Sequence, residues 1–254
     1  MGDIHGAYEA LKQCLNRSGF NYEHDTLIQL GDVVDGYCQP YECVEELLKI
    51  KNLIAIRGNH DAWFYDFIQT DFHPGYWNCG GEATIESYLE HAGKKAICIP
   101  SGSGFKTSLN SSDIPPAHRQ FFQNQKLHHV DKQNRCFVHA GFNREIAFDQ
   151  QAFSMYYWDR DLWSDAIVHE NAGGTMREFK MATKFQEIFI GHTSTTNWDS
   201  DRPMTAFNIT NLDTGAGHTG RLTIMDVDTK EIWQSERVEL LYKLGTSLIL
   251  DKRN

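Results

Sequence analysis

No run of this 254-residue chain approaches the roughly 18 consecutive apolar residues that a membrane-spanning helix requires, and no charged-then-apolar leader opens it. A soluble, cytoplasmic protein with no membrane partner is expected. Basic blocks are missing too. The 24 Lys and Arg are dispersed among 34 Asp and Glu, for a formal charge of -10, which argues against nucleic acid as a partner. An anionic substrate can still be held, by a metal. Cysteine is scarce and scattered (Cys14, Cys38, Cys43, Cys79, Cys98 and Cys136), with no CxxC pair to suggest thiolate zinc or redox work, so reduced thiols are expected. Internal repeats and low-complexity tracts are also lacking.

What is present is core-forming. With 41% hydrophobic residues the chain can bury a full core, and a single domain over residues 1–254 of the α/β class is expected. Tyr8, Leu11, Cys14 and Leu15 recur at helical spacing up to Ser18-Gly19. "TLIQLGD" (26–32) and "NLIAIRG" (52–58) read as strands either side of a helix, "YECVEELLKI" (41–50), an order that implies a right-handed parallel crossover. Loops after the carboxyl ends of such strands form the ligand crevice, which places the chemistry in "GDVVDG" and "GNHD". Farther on, hairpins near 131–134 and 228–229, a helix over 148–163 ("FDQQAFSMYYWDRDLW") and a strand entering "GHTS" are expected. "PSGSGFKTSLNSSDIPP" (100–116) reads as a surface loop or lid.

Five junctions of this kind end in metal-ligating side chains hugged by glycine: Asp3 with His5, Asp32 with Asp35, Asn59 with His60 and Asp61, His139 in "FVHAG", and His192 in "FIGHT". Glycine lets backbone and metal approach closely. Carboxylate, imidazole and amide oxygen suit a pair of borderline or hard divalent ions such as Mn, Fe or Zn. One histidine after a strand is most often a hydrogen-bonded loop residue; five junctions in one chain point to a dinuclear site.

"GDIHG", "GDVVDG", "GNHD", "HAG" and "GHT", in this order, resemble the calcineurin-like metallophosphoesterases, and within them the branch of PPP-type serine/threonine phosphatases, phage lambda phosphatase and symmetrical diadenosine tetraphosphatases. "NLDTGAG" (211–217) extends the resemblance over nearly the whole chain. It implies a four-layer sandwich, two central mixed sheets flanked by helices, with the metals at the strands' carboxyl ends. It also implies that Asp3 and His5 hold a first metal, that Asp32 bridges, and that Asn59, His139 and His192 hold the second, with manganese favoured. His60 would then protonate the leaving group, oriented by Asp35.

The sequence departs from the family pattern at Gly36, where a phosphate-clamping arginine usually follows the second aspartate. Arg160 resembles a second phosphate-contacting arginine of the lambda-type enzymes, against the alternative of a solvated helix arginine paired with Asp159 or Asp161. Arg57 reads as a support for the "GNHD" loop. Trp77, Gly80, Gly81 and Tyr88 resemble a stretch near the substrate mouth, with core packing an equal account of Trp77 and Tyr88. A buried strand precedes "GDIHG" in the family, whereas only Met1 stands there here, so a start assigned too late is favoured over a lost strand. Loss of that strand would loosen Asp3 and His5 first.

The expected function is metal-dependent hydrolysis of phosphomonoesters, serine/threonine phosphatase-like, on a phosphoprotein or a small phosphoester. Splitting of nucleoside polyphosphates of the diadenosine tetraphosphate type is the enzymatic alternative, and a catalytically silent binding module the non-enzymatic one.

Overall fold

The computed structural model describes residues 1–242 other than 74–76, 78, 96 and 103. Parts of the "GYWNCGG" stretch and of the 100–116 loop therefore lie outside the described residues.

The expected crossover is present. Strand β1 (Thr26–Gln29), helix α2 (Pro40–Leu47) and strand β2 (Asn52–Ala55) follow helix α1 (Tyr8–Arg17), and β1 pairs with β2 in parallel, Leu27 beside Leu53 and Ile28 beside Ile54. The apolar periodicity of α1 buries Ala10, Leu11, Cys14 and Leu15 on one face. Helix α3 (Asn59–Thr70) starts on the "GNHD" loop and α4 (Gly81–His91) follows. The first part of the expected 100–116 loop instead belongs to a hairpin, β3 (Cys98–Ser101) with β4 (Gly104–Thr107). Pro100, Gly102 and Gly104 conceal it in the sequence. Helix α5 (Pro116–Asn124) closes this half.

The second half is a five-stranded sheet in the order β5-β6-β7-β9-β8, from β5 (His128–Val130), β6 (Arg135–Val138), β7 (Glu187–Ile190), β8 (Met204–Ala206) and β9 (Ile209–Asn211). The β5–β6 hairpin turns at 131–134 as expected, whereas β6, β7 and β9 run parallel and are almost wholly buried, as sheets covered on both faces are. The helix expected over 148–163 is broken into a 3-10 turn, a short α6 (Met155–Trp158) and α7 (Asp161–Asn171). Asp159 takes an extended backbone, φ −62° and ψ 139°, and its carboxylate accepts the Leu162 N–H, so it ends one helix and caps the next. Strands β10 (Thr223–Met225) and β11 (Ile232–Gln234) form the last expected hairpin, before α8 (Val238–Leu241).

Leu30, Ile56, Phe137, Phe189 and Leu212 form an apolar layer between the five-stranded sheet and the β1–β2 and β10–β11 pairs, where the Phe137 and Phe189 rings stack at 5.0 Å. One larger core packs α1 to α5 outside the strand pairs, and another packs α7 outside the five-stranded sheet. Four layers result, as expected, with one difference: the layer opposite the five-stranded sheet is two strand pairs bridged by two residues. The Met1 amine donates to Ile28 O, Leu30 N–H donates to Met1 O, and Gly2 N–H donates to Thr223 O. Beyond Met1 a cavity of about 480 Å³ opens between the pairs, lined by residues such as Leu27, Ile54, Phe137 and Ile224, away from the residues singled out for chemistry. Asp3 and His5 are nonetheless anchored. The N–H groups of Ile4 and His5 both donate to Asp32 O at 2.9 Å, and His192 N–H donates to the Asp3 carboxylate at 2.9 Å.

Candidate metal centre

Every junction singled out in the sequence arrives at one place. Asp32 follows β1, Asn59 and His60 follow β2, His139 follows β6 and His192 follows β7, so the site lies at the carboxyl ends of strands from both sheets. Backbone conformation marks it as well. His5, Asp32, Asp35 and His192 have φ between 51° and 67°, a left-handed region that costs a side-chain-bearing residue about a kcal/mol or more and persists only where surroundings enforce it.

Asp32 sits at the centre, buried. Its Oδ2 is 3.7 Å from His5 Nε2 and 3.3 Å from His139 Nε2, and its Oδ1 accepts the His60 N–H at 3.0 Å. Two groups of donors, each close enough to share one ion, meet on this carboxylate: His5, Asp32 and His60 on one side, and Asp32, His139 and His192 on the other. Asn59 joins the second, its Oδ1 3.1 Å from His139 Nε2. Asp3 lies beside the centre without belonging to either tight group of three.

Several atoms have the state that a cation requires. His139 Nδ1–H donates to Leu30 O at 2.8 Å, which makes Nε2 the ring nitrogen that faces Asp32 and Asn59. His192 Nε2 and Asp3 Oδ1 are buried with no hydrogen-bond partner among the described residues. Such atoms cost free energy unless something satisfies them. A Cβ on Gly191 would stand 2.0 Å from Asp3 Oδ1, so only glycine fits there. Oxygen and imidazole donors with no thiolate among them fit divalent ions of the Mn, Fe or Zn kind.

Electrostatics agree. Burial, reinforced by Asp213, holds the Asp3 carboxyl well above the usual range. Burial drives the His5 and His192 imidazoles down, to about 3 and about 2, where both are lone-pair donors. For Asp32, the surrounding imidazoles, His139 first, outweigh burial and hold the carboxyl well below its ordinary value. Burial also opposes charge on His60, but Asp32 and the Asp35 hydrogen bond raise it to about 9.

His60 and Asp35 form a pair of their own, Nδ1 to Oδ2 at 2.7 Å. Because Asp35 only accepts, the His60 Nε2 is left to face the cleft. Two residues that the motifs do not mark complete this pair: Trp77 Nε1–H donates to Asp35, and the Thr84 hydroxyl donates to Asp35 Oδ1 at 2.5 Å while accepting the Asp35 N–H. Trp77 is thus neither core filler alone nor mouth. Asp61 supports the "GNHD" loop, accepting from Val33 N–H, Gly58 N–H and Gln125 Nε2.

Arg160 is not paired with Asp159 or Asp161 in the way a helix-surface arginine would be. Its Nη1 donates to His192 O at 3.0 Å and Thr193 Oγ1 at 2.8 Å, holding an exposed guanidinium at the rim of the centre. Arg57 is a loop support, as expected: Nη2 donates to Phe122 O and the guanidinium lies over Tyr65. Gly36 has φ +93°, and a Cβ there would stand 3.2 Å from His5. His218, just after the "DTGAG" turn, is exposed, and its carbonyl accepts from Tyr37 Oη.

Comparison with known proteins agrees with this geometry. The chain is 25% identical to serine/threonine-protein phosphatase 1 of Salmonella typhimurium, over 88% of each protein. It is also 25% identical to a symmetrical bis(5'-nucleosyl)-tetraphosphatase of Neisseria meningitidis, over 92% of this chain and 93% of that protein. In fold it is similar to a metallophosphoesterase from Sphaerobacter thermophilus, with a TM-score of 0.54 over 98% of this chain and 95% of that one, at 17% identity. Residues 1–195, which carry every junction described above, match the model of the calcineurin-like phosphoesterases, and the chain belongs to that family.

Proposed function

We propose that this protein is a dinuclear metallophosphatase that hydrolyses phosphomonoesters in the manner of the serine/threonine phosphatases. The observation that carries the reading is the Asp32 carboxylate shared between two donor groups. Asp3, His5 and Asp32 would hold the first ion, and Asp32, Asn59, His139 and His192 the second, with manganese the leading candidate and iron or zinc the others. When bound, such a pair lowers the pKa of water to give a nucleophile near neutral pH and offsets charge on the transferred phosphoryl group.

The chain's own residues supply the rest. Arg160, pinned by His192 O and Thr193, presents its remaining N–H groups to phosphate oxygens. His60, charged near neutral pH by virtue of Asp32 and Asp35, gives its Nε2 proton to the leaving oxygen. Asp35 fixes the ring and takes no proton from substrate. His60 is assigned to proton transfer rather than to the first ion because Asp3, with an unsatisfied buried oxygen, completes that ion's donors. The absence of thiolates from the donor groups and of any CxxC pair is consistent with a cytoplasmic protein carrying reduced thiols.

The test is a panel of a phosphopeptide, p-nitrophenyl phosphate, its bis-ester and diadenosine tetraphosphate, assayed with added Mn. Preferred turnover of the monoesters is expected. Turnover of diadenosine tetraphosphate alone would replace the reading with the tetraphosphatase one.

A further inference from the structure

Two indoles stand beside the metal centre that neither the ligand set nor the proton-transfer pair uses. Trp63 lies one turn along α3 from His60, and the two rings meet edge to face at 4.9 Å and 77°. Trp158, the last residue of α6, meets Trp63 at 5.3 Å and 61°, and meets His192 on its other side at 6.0 Å and 89°. An unbroken aromatic wall therefore runs from the proton donor, across the mouth, to the second metal position.

This wall is spent on the core only in part, since Trp63 packs against the larger core from one side. Phe64, Phe67 and Ile68 of the same helix are buried, whereas Trp63 is only partly so and Trp158 is 43% exposed. Part-exposed indoles beside a polar centre are suited to a flat ring, since aromatic pairs gain beyond the area they bury and large aromatics anchor ligands at binding sites. The side matters. The leaving group departs toward His60, and Trp63 flanks that residue directly, so the ring that stacks there belongs to the leaving group and is attached close to the ester oxygen.

We infer that Trp63 and Trp158 select phosphomonoesters whose leaving group is an aromatic ring, the class to which aryl phosphates and phosphotyrosine belong, over aliphatic esters. This rests on the phosphomonoesterase reading for its catalytic meaning. The preference in binding stands on the wall alone.

The test uses two non-hydrolysable probes of similar size, phenylphosphonate and cyclohexylphosphonate, titrated calorimetrically into the Mn-loaded protein. Wild type should bind the planar ring roughly threefold to tenfold more tightly, the scale of an aromatic pair. Trp63→Leu and Trp158→Leu should each reduce that ratio, Trp63→Phe should keep most of it, and the exposed site of Trp158 makes its variant safe for folding. Equal affinity for the two probes in wild type, or a ratio untouched in both leucine variants, overturns the inference. Matched phosphotyrosine and phosphoserine peptides separate the two claims: no turnover of either defeats the phosphomonoesterase reading, whereas turnover of both with no aromatic preference in binding defeats only this one.

Discussion

Trp77 Nε1 lies 3.0 and 3.1 Å from the two oxygens of the Asp35 carboxylate, donating to both from a fully buried indole. Together with Thr84 and His60 it leaves that carboxylate no freedom to turn. The orientation of the His60 ring is therefore set from the core.

Trp77→Phe keeps an aromatic ring at this buried position and deletes this donor. The account predicts a kcat lowered by roughly tenfold, from a loss of about 1 to 2 kcal/mol for a buried charge-assisted hydrogen bond, with KM nearly constant. Steady-state kinetics, with a thermal melt to confirm folding, checks it. A variant that raises KM alone would mean that Trp77 serves binding instead.

His60→Asn should leave two ions per chain and lower turnover of an alkyl phosphate by about 10²- to 10⁴-fold, the range for losing a general acid. The loss should be much smaller with p-nitrophenyl phosphate, whose leaving group needs no proton. His5, Asp32 and His60 form the tight three-donor group on one side of the centre, so the outcome also decides between two roles. One ion lost with the imidazole would make His60 a ligand.

Arg160→Ala should raise KM and lower kcat together, by roughly 10- to 100-fold in kcat/KM, the scale of charge-assisted hydrogen bonds to phosphate. Gly36→Arg should not rescue it. At φ +93°, with His5 atoms 3.2 Å from the new Cβ, an arginine strains the loop that carries Asp35. Kinetics of the single and double variants on one phosphomonoester decide, and full rescue would show that the loop adapts.

Stability should carry a pH signature from His118. Its ring is fully buried between the Tyr88 hydroxyl at Nδ1 and Glu45 at Nε2, and burial, opposed by Glu45, draws the imidazole below its ordinary 6.5. The folded state keeps it neutral while the unfolded chain takes up a proton near 6.5, so its contribution is present above that pH and fades as pH falls toward the folded value. Melting temperature should accordingly drop more between pH 7 and 5 in wild type than in His118→Gln. Parallel curves would dismiss this residue as the source.

The residues gathered around Asp32 were legible because each stands in a short, glycine-flanked motif, most at the end of an apolar run, where local pattern and tertiary position coincide. Their supports were not. Trp77 and Thr84 reach Asp35 from 42 and 49 positions away, and no local spacing encodes that. The wall of Trp63 and Trp158 joins two halves of the chain in the same manner. The expected helix over 148–163 failed because apolar periodicity is blind to a carboxylate such as Asp159, which caps the following helix and so breaks the run just where Arg160 must turn toward His192. The 98–107 hairpin failed because proline and glycine within it read as punctuation.

Metal counting tests the central claim most directly. Protein stripped of metal and titrated calorimetrically with Mn should take up two ions per chain and gain phosphomonoesterase activity with them. Asp32→Asn should lose affinity for both ions, and Asp3→Asn chiefly for one, because only Asp32 belongs to both donor groups. Fewer than one ion in wild type, or an Asp32→Asn protein that still binds two, would contradict the account.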